Sequence, residues 1–486
     1  MKVCFAVSEC VPYVKTGGLA DVAGALPKAL DELGCEVKLF LPLYGFIDPA
    51  AHGLTAADEL QSIPVQIGGK AVIFKTWYGR LPDTRVDVHF IDCPEYFHRA
   101  APYTDDPDED ERFILFQHAI LQILQRYHWA PDVVHCNDWQ TALLPVYLKK
   151  NYSWDHLFAG TASLLSIHNI GYQGSFPPES VSKAGLSVAD FYPGGPYEFY
   201  GRFCFLKTGV LFADCLSTVS ETYAEEIQTP QYGERLEGLL AARKADLFGI
   251  LNGIDTTVWN PRVDTRIPYH YSERNLANKV RNKRALLAEA SLPFDENTPV
   301  IGMISRLTPQ KGFDLVQAAA EDLMKLPLQI VALGSGDGEM EEFLRWATHT
   351  YPKKFAAFIG YNEDLAHKIT AGADMFLMPS RYEPCGLNQM YSLNYGTVPI
   401  VRRTGGLADT VKDVHEYYGE GNGFSFHDYS AHALYLTVRR ALDLFKDRKA
   451  WREIMRRGMK ADFSWSRSAK RYLEVYKLAQ QRRAAG

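Results

Sequence analysis

The sequence has no Cys-x-x-Cys pair, no apolar run long enough to span a membrane, and no low-complexity tract or solenoid-length repeat. Its eight cysteines, Cys4, Cys10, Cys35, Cys93, Cys136, Cys204, Cys215 and Cys385, are scattered. That spacing fits free thiols in a reducing compartment better than a disulfide framework or a zinc site. An excess of positive charge is also missing. The formal net charge is −6, which argues against nucleic acid as the main partner and makes any phosphate-binding cations local. Strand-like residues follow Met1 at once, so a signal or transit peptide has no room in this chain, and a cytoplasmic location without membrane attachment is expected.

What is present is an ordinary globular composition, 47% hydrophobic and 23% charged. At 486 residues the chain is too long for one core, and two large domains or three small ones are expected. Short apolar strands alternate with amphipathic helices, the pattern of parallel β-α-β units. In the first half we expect strands at 3–7, 37–41, 86–91, 133–135, 165–168 and 216–220, with helices at 21–33, 112–127 and 197–213. The pattern restarts with strands at 300–305, 329–333, 355–359, 375–378 and 398–401. Helices at 314–324, 338–348, 363–371 and 387–395 separate them. The boundary runs from Asn252-Gly253-Ile254-Asp255 through the polar stretch 260–275, giving domains at 1–252 and 253–465. A last helix within 466–486 carries Tyr472, Val475, Tyr476 and Leu478 at helical spacing and is expected to pack back on the first domain. The crossings at 252–261 and near 463–465 would then act as a hinge.

The word Thr-Gly-Gly-Leu-Ala-Asp occurs twice, at 16–21 and 404–409, behind Lys15 and Arg403 respectively. A Gly-Gly pair before a helix can bare main-chain N–H groups where the helix end adds partial positive charge, which makes an anion cradle. Two ordinary Gly-mediated turns are the alternative. The repetition and the basic neighbours favour two similar domains holding one anionic ligand between them.

In open α/β sheets ligands bind beyond the carboxyl ends of strands. After strand 300–305, Arg306 and Lys311 flank a short loop and suit a diphosphate. After strand 375–378, Glu383 can read sugar hydroxyls, and the N–H groups of Cys385, Gly386 and Leu387 can take phosphate, although Pro384 and Gly386 also suit a structural turn. After strand 165–168 stand His168 and Asn169, and after strand 133–135 stand Asn137, Asp138 and Trp139, suited to carbohydrate. His135, Cys136 and Asp138 are too crowded on one strand for a good metal site. Asp106 and Asp108, within the acidic run 105–111, read as a solvated helix start rather than a metal site.

Six motifs in order carry a resemblance: Lys15-Thr-Gly-Gly-Leu, His168-Asn-Ile-Gly-Tyr-Gln-Gly, Leu251-Asn-Gly-Ile-Asp, Ser305-Arg-Leu-Thr-Pro-Gln-Lys-Gly, Pro379-Ser-Arg-Tyr-Glu-Pro-Cys-Gly-Leu and Arg403-Thr-Gly-Gly-Leu-Ala-Asp-Thr. Over nearly its whole length the chain resembles bacterial glycogen synthases of the ADP-glucose type and is similar to plant starch synthases. The resemblance implies an α/β fold of two Rossmann-like domains facing across a cleft, the GT-B glycosyltransferase architecture. It also implies retaining transfer of glucose from ADP-glucose to the 4-hydroxyl of an α-1,4-glucan such as glycogen or maltodextrin, with no metal or cofactor.

Carried over by position, Lys15, Gly17 and Gly18 approach the donor diphosphate from the first domain, and Arg306 and Lys311 from the second. Glu383 binds the glucose hydroxyls with help from Cys385, Gly386 and Leu387, and His168 lies near the reacting centre. Tyr361 stacks on adenine, a core aromatic being the alternative. Asp21 and Asn252 are further donor contacts, and Asp138 serves the glucose or acceptor side. Many retaining enzymes of this architecture have a second glutamate eight positions after the first; here Tyr391 stands there. The competing readings are a starch synthase with the same chemistry, a sugar-nucleotide epimerase or hydrolase, and an inactive glucan-binding protein. The intact set of Lys15, Arg306, Lys311 and Glu383 argues against the last.

Overall fold

The computed structural model describes residues 1–485, and the chain divides into two compact units. Unit 1 comprises Met1–Val219, Ala224–Gly253 and the stretch from Trp465 onward; unit 2 comprises Ser220–Tyr223 and Ile254–Ser464.

Unit 1 is built on a ten-stranded sheet. Seven of its strands are parallel, in the spatial order Leu247–Gly249, Cys215–Thr218, Ala162–Ile167, Val133–Asn137, Lys2–Ala6, Glu36–Pro42 and Asp87–Asp92. Chain order reverses between Lys2–Ala6 and Val133–Asn137, so the crevice beyond their carboxyl ends is the topological switch point. The strands are buried on both faces, as continuous apolar runs such as Val3-Cys4-Phe5-Ala6 require.

Several segments differ from the sequence expectation. Residues 197–213 are not one helix. They form a hairpin, Glu198–Phe199 with Arg202–Cys204, followed by a helix at Phe205–Phe212. The two-residue loop Tyr200-Gly201 has φ of 50° and 78°, the mirror-image turn that suits strand twist and breaks a helix. An antiparallel extension, Ile63–Ile67 with Lys70–Arg80, was not anticipated, although its Gly68-Gly69 turn and strict alternation are hairpin signals. The acidic run does start a helix, with Asp105 and Asp106 exposed, but Glu109 and Asp110 are buried and its carboxylates are paired. Arg99 binds Asp106 and Asp108 at 2.6 Å, fully buried Arg112 binds Glu109, and Lys183 binds Asp110 and Glu111. Sequence spacing cannot show cations supplied from before and after the run.

The helix Trp465–Ala485 packs on the helix Gly18–Glu32 and on strand Ala162–Ile167 of unit 1. Its Tyr472, Val475, Tyr476 and Ala479 are buried. One polar clamp fixes it: the Tyr476 hydroxyl lies 2.8 Å from Nδ1 of buried His135, whose Nε2 lies 2.6 Å from Ser166 Oγ. Burial first, and His168 second, holds His135 well below the usual imidazole range, so it is neutral.

Unit 2 repeats the plan with a six-stranded parallel sheet: Phe355–Ile359, Gln329–Gly334, Val300–Ile304, Met375–Met378, Val398–Arg402 and Phe424–Phe426. Alternate residues serve opposite faces. Ile301, Met303, Ile330 and Leu377 pack with helices Phe313–Lys325 and Ala431–Phe445, while Val300, Val331 and Leu333 pack with helices Ala277–Glu289 and Glu363–Gly372. Its switch point lies between Val300–Ile304 and Met375–Met378.

Replacing Tyr476 by Phe strips the hydroxyl and leaves His135 Nδ1 buried without a partner. Unit 1 should lose about 1–3 kcal/mol. A lowered denaturation midpoint for the variant checks this; an unchanged midpoint would show the clamp to be energetically idle.

Candidate functional site

Both switch points carry the residues singled out in sequence. In unit 1 the strand Lys2–Ala6 continues into buried Val7, Ser8 and Glu9. The Glu9 carboxylate accepts the N–H groups of Thr16 and Gly17, and its other oxygen accepts the Tyr103 hydroxyl at 2.7 Å. The first Gly-Gly loop therefore already holds an internal anion, which the sequence reading missed. No spacing rule links Glu9 to the loop seven residues on. Space beside the loop stays open, since a Cβ added at Gly17 or Gly18 would meet nothing within 4 Å. Lys15 pairs with Asp21 at 2.8 Å, at the start of helix Gly18–Glu32.

Asp138 follows strand Val133–Asn137 with φ of 56°, and its Oδ1 accepts the His168 N–H at 2.7 Å. Burial pushes its carboxyl up to about 7; the N–H groups of His168 and Asn169 oppose that, and Glu9 adds to it. His168 Nε2 lies 2.9 Å from Asn137 Oδ1, and Asn137 Nδ2 donates to the Ala6 carbonyl. Burial lowers His168 to about 4, so its ring is neutral at pH 7. With the amide oxygen as acceptor, Nε2 carries the proton and Nδ1 the lone pair. Asn252 is also in unit 1, its Oδ1 buried without a partner among the described residues.

In unit 2, Lys311 Nζ lies 2.9 and 2.7 Å from the two oxygens of Glu383, and Ser380 Oγ donates to Oε2 at 3.0 Å. Glu383 is only 5% exposed, whereas Arg306 is exposed and makes no ion pair among the described residues. Lys311 and Glu383, read separately in sequence, are thus one pair. Tyr361 is 79% exposed, which excludes a core role, and its hydroxyl donates to Glu363. Tyr391 is buried against Trp259.

The second Gly-Gly copy is not an open cradle. A Cβ at Gly405 would lie 2.0 Å from the Glu383 carbonyl oxygen, and one at Gly406 would lie 2.0 Å from that of Cys385. The Gly406 N–H donates to the carbonyls of Glu383 and Pro384, both at 3.1 Å. Here the glycines let one backbone press against another and so shape the Glu383 loop. The loop's own Gly386 and Leu387 N–H groups take no internal hydrogen bond among the described residues.

The description "Starch synthase catalytic domain" matches residues 2–242, and "Glycosyl transferases group 1" matches residues 287–458. Two parallel α/β units with these residues at their switch points, so matched, define a glycosyltransferase of the GT-B architecture. The glycogen synthase of Syntrophotalea carbinolica is 44% identical over 99% of both chains, and that of Moorella thermoacetica 45% identical over all of this chain and 98% of its own. The catalytic domain of starch synthase IV from Arabidopsis thaliana, bound to ADP and acarbose, superimposes with a TM-score of 0.90 at 32% identity, over 99% of each chain. The chain belongs to the glycogen synthase family, which it shares with the plant starch synthases.

The Asp138 environment gives a pH signature. A carboxyl raised above its unfolded value favours the fold fully below the unfolded pKa, and that contribution is lost as pH rises through about 7. Asp138→Asn should therefore gain stability relative to wild type as pH rises from about 4 to about 7. Parallel melting curves that keep a constant offset would show Asp138 to be an ordinary solvated acid.

Proposed function

We propose that the protein transfers glucose from ADP-glucose, with retention, to the non-reducing 4-hydroxyl of an α-1,4-glucan and so elongates glycogen. Family membership supports glucosyl transfer, and the ADP and acarbose held by the Arabidopsis relative fit a nucleotide donor and an α-glucan acceptor. The observation that carries the reading is the Ser380–Glu383–Lys311 group beside exposed Arg306 at the switch point of unit 2.

Its valence fits that role. Lys311 spends two of its three N–H donors on Glu383 and keeps one for a phosphate oxygen. Glu383 has accepted three bonds and keeps acceptor capacity on Oε1 for a sugar hydroxyl. The pair can thus hold the glucose and its leaving diphosphate on adjoining atoms.

Breaking the glucose–phosphate bond leaves oxocarbenium character on the sugar and added negative charge on departing ADP. As donors to that growing charge we assign Arg306, Lys311 and the Gly386 and Leu387 N–H groups, together with Lys15 and the Gly17–Gly18 loop of unit 1. Neutral His168 and the Asp138 carboxyl would orient the sugar and acceptor. No carboxylate at either switch point stands out as a covalent nucleophile. A same-face route, in which the leaving phosphate takes the acceptor proton, therefore fits best.

Arg306→Ala should lower turnover at least ~10²-fold with the fold intact, the scale seen when a donor at developing charge is removed. Lys311→Ala should do the same and also destabilise unit 2, because it strands the buried Glu383 carboxylate. Steady-state kinetics with melting curves separate the two effects, and near-normal turnover in both variants would remove the diphosphate role.

A further inference from the structure

Unit 2 contains a ring column that no step above uses. The Trp259 indole lies between the His367 imidazole, 3.7 Å away by ring centroids and 17° from parallel, and the Tyr391 ring, 3.9 Å away and 9° from parallel. Trp259 belongs to the segment that follows Ile254, His367 to helix Glu363–Gly372 and Tyr391 to helix Asn388–Asn394. The indole is wedged between two helices. One begins just after Tyr361, the other just after the Cys385–Leu387 run.

The surroundings favour the charged imidazole. His367 Nδ1 lies 2.8 Å from Asp264 Oδ2, which also accepts the Tyr395 hydroxyl at 2.6 Å. With Nδ1 donating, a neutral ring would turn its Nε2 lone pair toward Glu363 Oε1, 3.7 Å away. Protonation makes that contact attractive and completes an imidazolium–indole stack. Burial opposes the charge, but the Asp264 and Glu363 carboxylates outweigh it and hold the imidazole above its usual pKa. The other oxygen of Glu363 accepts the Tyr361 hydroxyl. Nearby charges are engaged elsewhere: Arg266 with Asp364, Lys368 with Glu289, and His270 Nε2 with the Asp264 carbonyl. The Tyr271 hydroxyl donates to the Tyr395 carbonyl.

We infer that His367 is a positioning residue for the donor nucleotide. Through Glu363 it sets the Tyr361 ring, and through Trp259 it sets the spacing of the two helices, so donor recognition follows its protonation. The inference rests on the reading of Tyr361 as the platform for the donor base.

The test is the pH profile of the donor KM, measured from about pH 6 to about pH 9 with saturating maltodextrin. Wild type should show KM rising about 5-fold on the alkaline side, the worth of one hydrogen bond, with kcat little changed. His367→Gln should show the high KM at every pH. Because a buried substitution can disturb the fold, Glu363→Gln and Tyr361→Phe provide a second route. Each keeps the column and should give a raised KM, flat with pH, at an unchanged melting temperature. Variants whose KM tracks the wild-type profile, or that lose kcat alone, overturn the inference while leaving the proposed function standing. A wild type that transfers no glucose from ADP-glucose overturns both.

Discussion

The Glu383 carboxylate sits almost out of water, and a carboxylate in that position is costly unless it is paired and hydrogen-bonded. Lys311 and Ser380 supply the pairing, and much of the arrangement at the unit 2 switch point follows from keeping them in place. Lys311 must end the loop after strand Val300–Ile304, and Glu383 must lie in the loop after the neighbouring strand Met375–Met378. Adjacent parallel strands at a switch point bring two such loops together beside one crevice. The Gln310 side chain donates to the Tyr382 carbonyl, and the Arg381 N–H donates to the Gln310 carbonyl, so the two loops are also stitched by backbone.

The repeated Thr-Gly-Gly word shows one sequence signal put to two physical uses. In unit 1 the loop wraps the Glu9 carboxylate and leaves open space on its outer side. In unit 2 the same glycines let the chain lie against the Glu383–Cys385 backbone, where any side chain would collide. Only the second use depends on the missing Cβ, and only the first resembles an anion cradle. The second acts at one remove by shaping the loop that carries the carboxylate.

Much of this was legible in sequence because parallel strands are short apolar runs, and their carboxyl ends can be read directly. Arg306, Lys311, Glu383, Asp138 and His168 all stand where that rule put them. What stayed hidden depended on partners distant in sequence. Glu9 in the first loop, Arg99 on the acidic pair and the Lys311–Glu383 bond join residues that no local pattern connects. The hairpin Glu198–Cys204 has strands of two and three residues around a Tyr200-Gly201 turn, too short for an alternating pattern to show. Trp259 lay in the crossing 252–261 read as a hinge, yet it is stacked between two helices.

The most direct measurement is product analysis after the purified protein is incubated with ADP-glucose and a short maltodextrin. Glucose transfer to the Glu383–Lys311 site's acceptor should lengthen the chains through new α-1,4 linkages at their non-reducing ends, with ADP released in equal amount. Free glucose without chain growth, or no consumption of ADP-glucose, would contradict it.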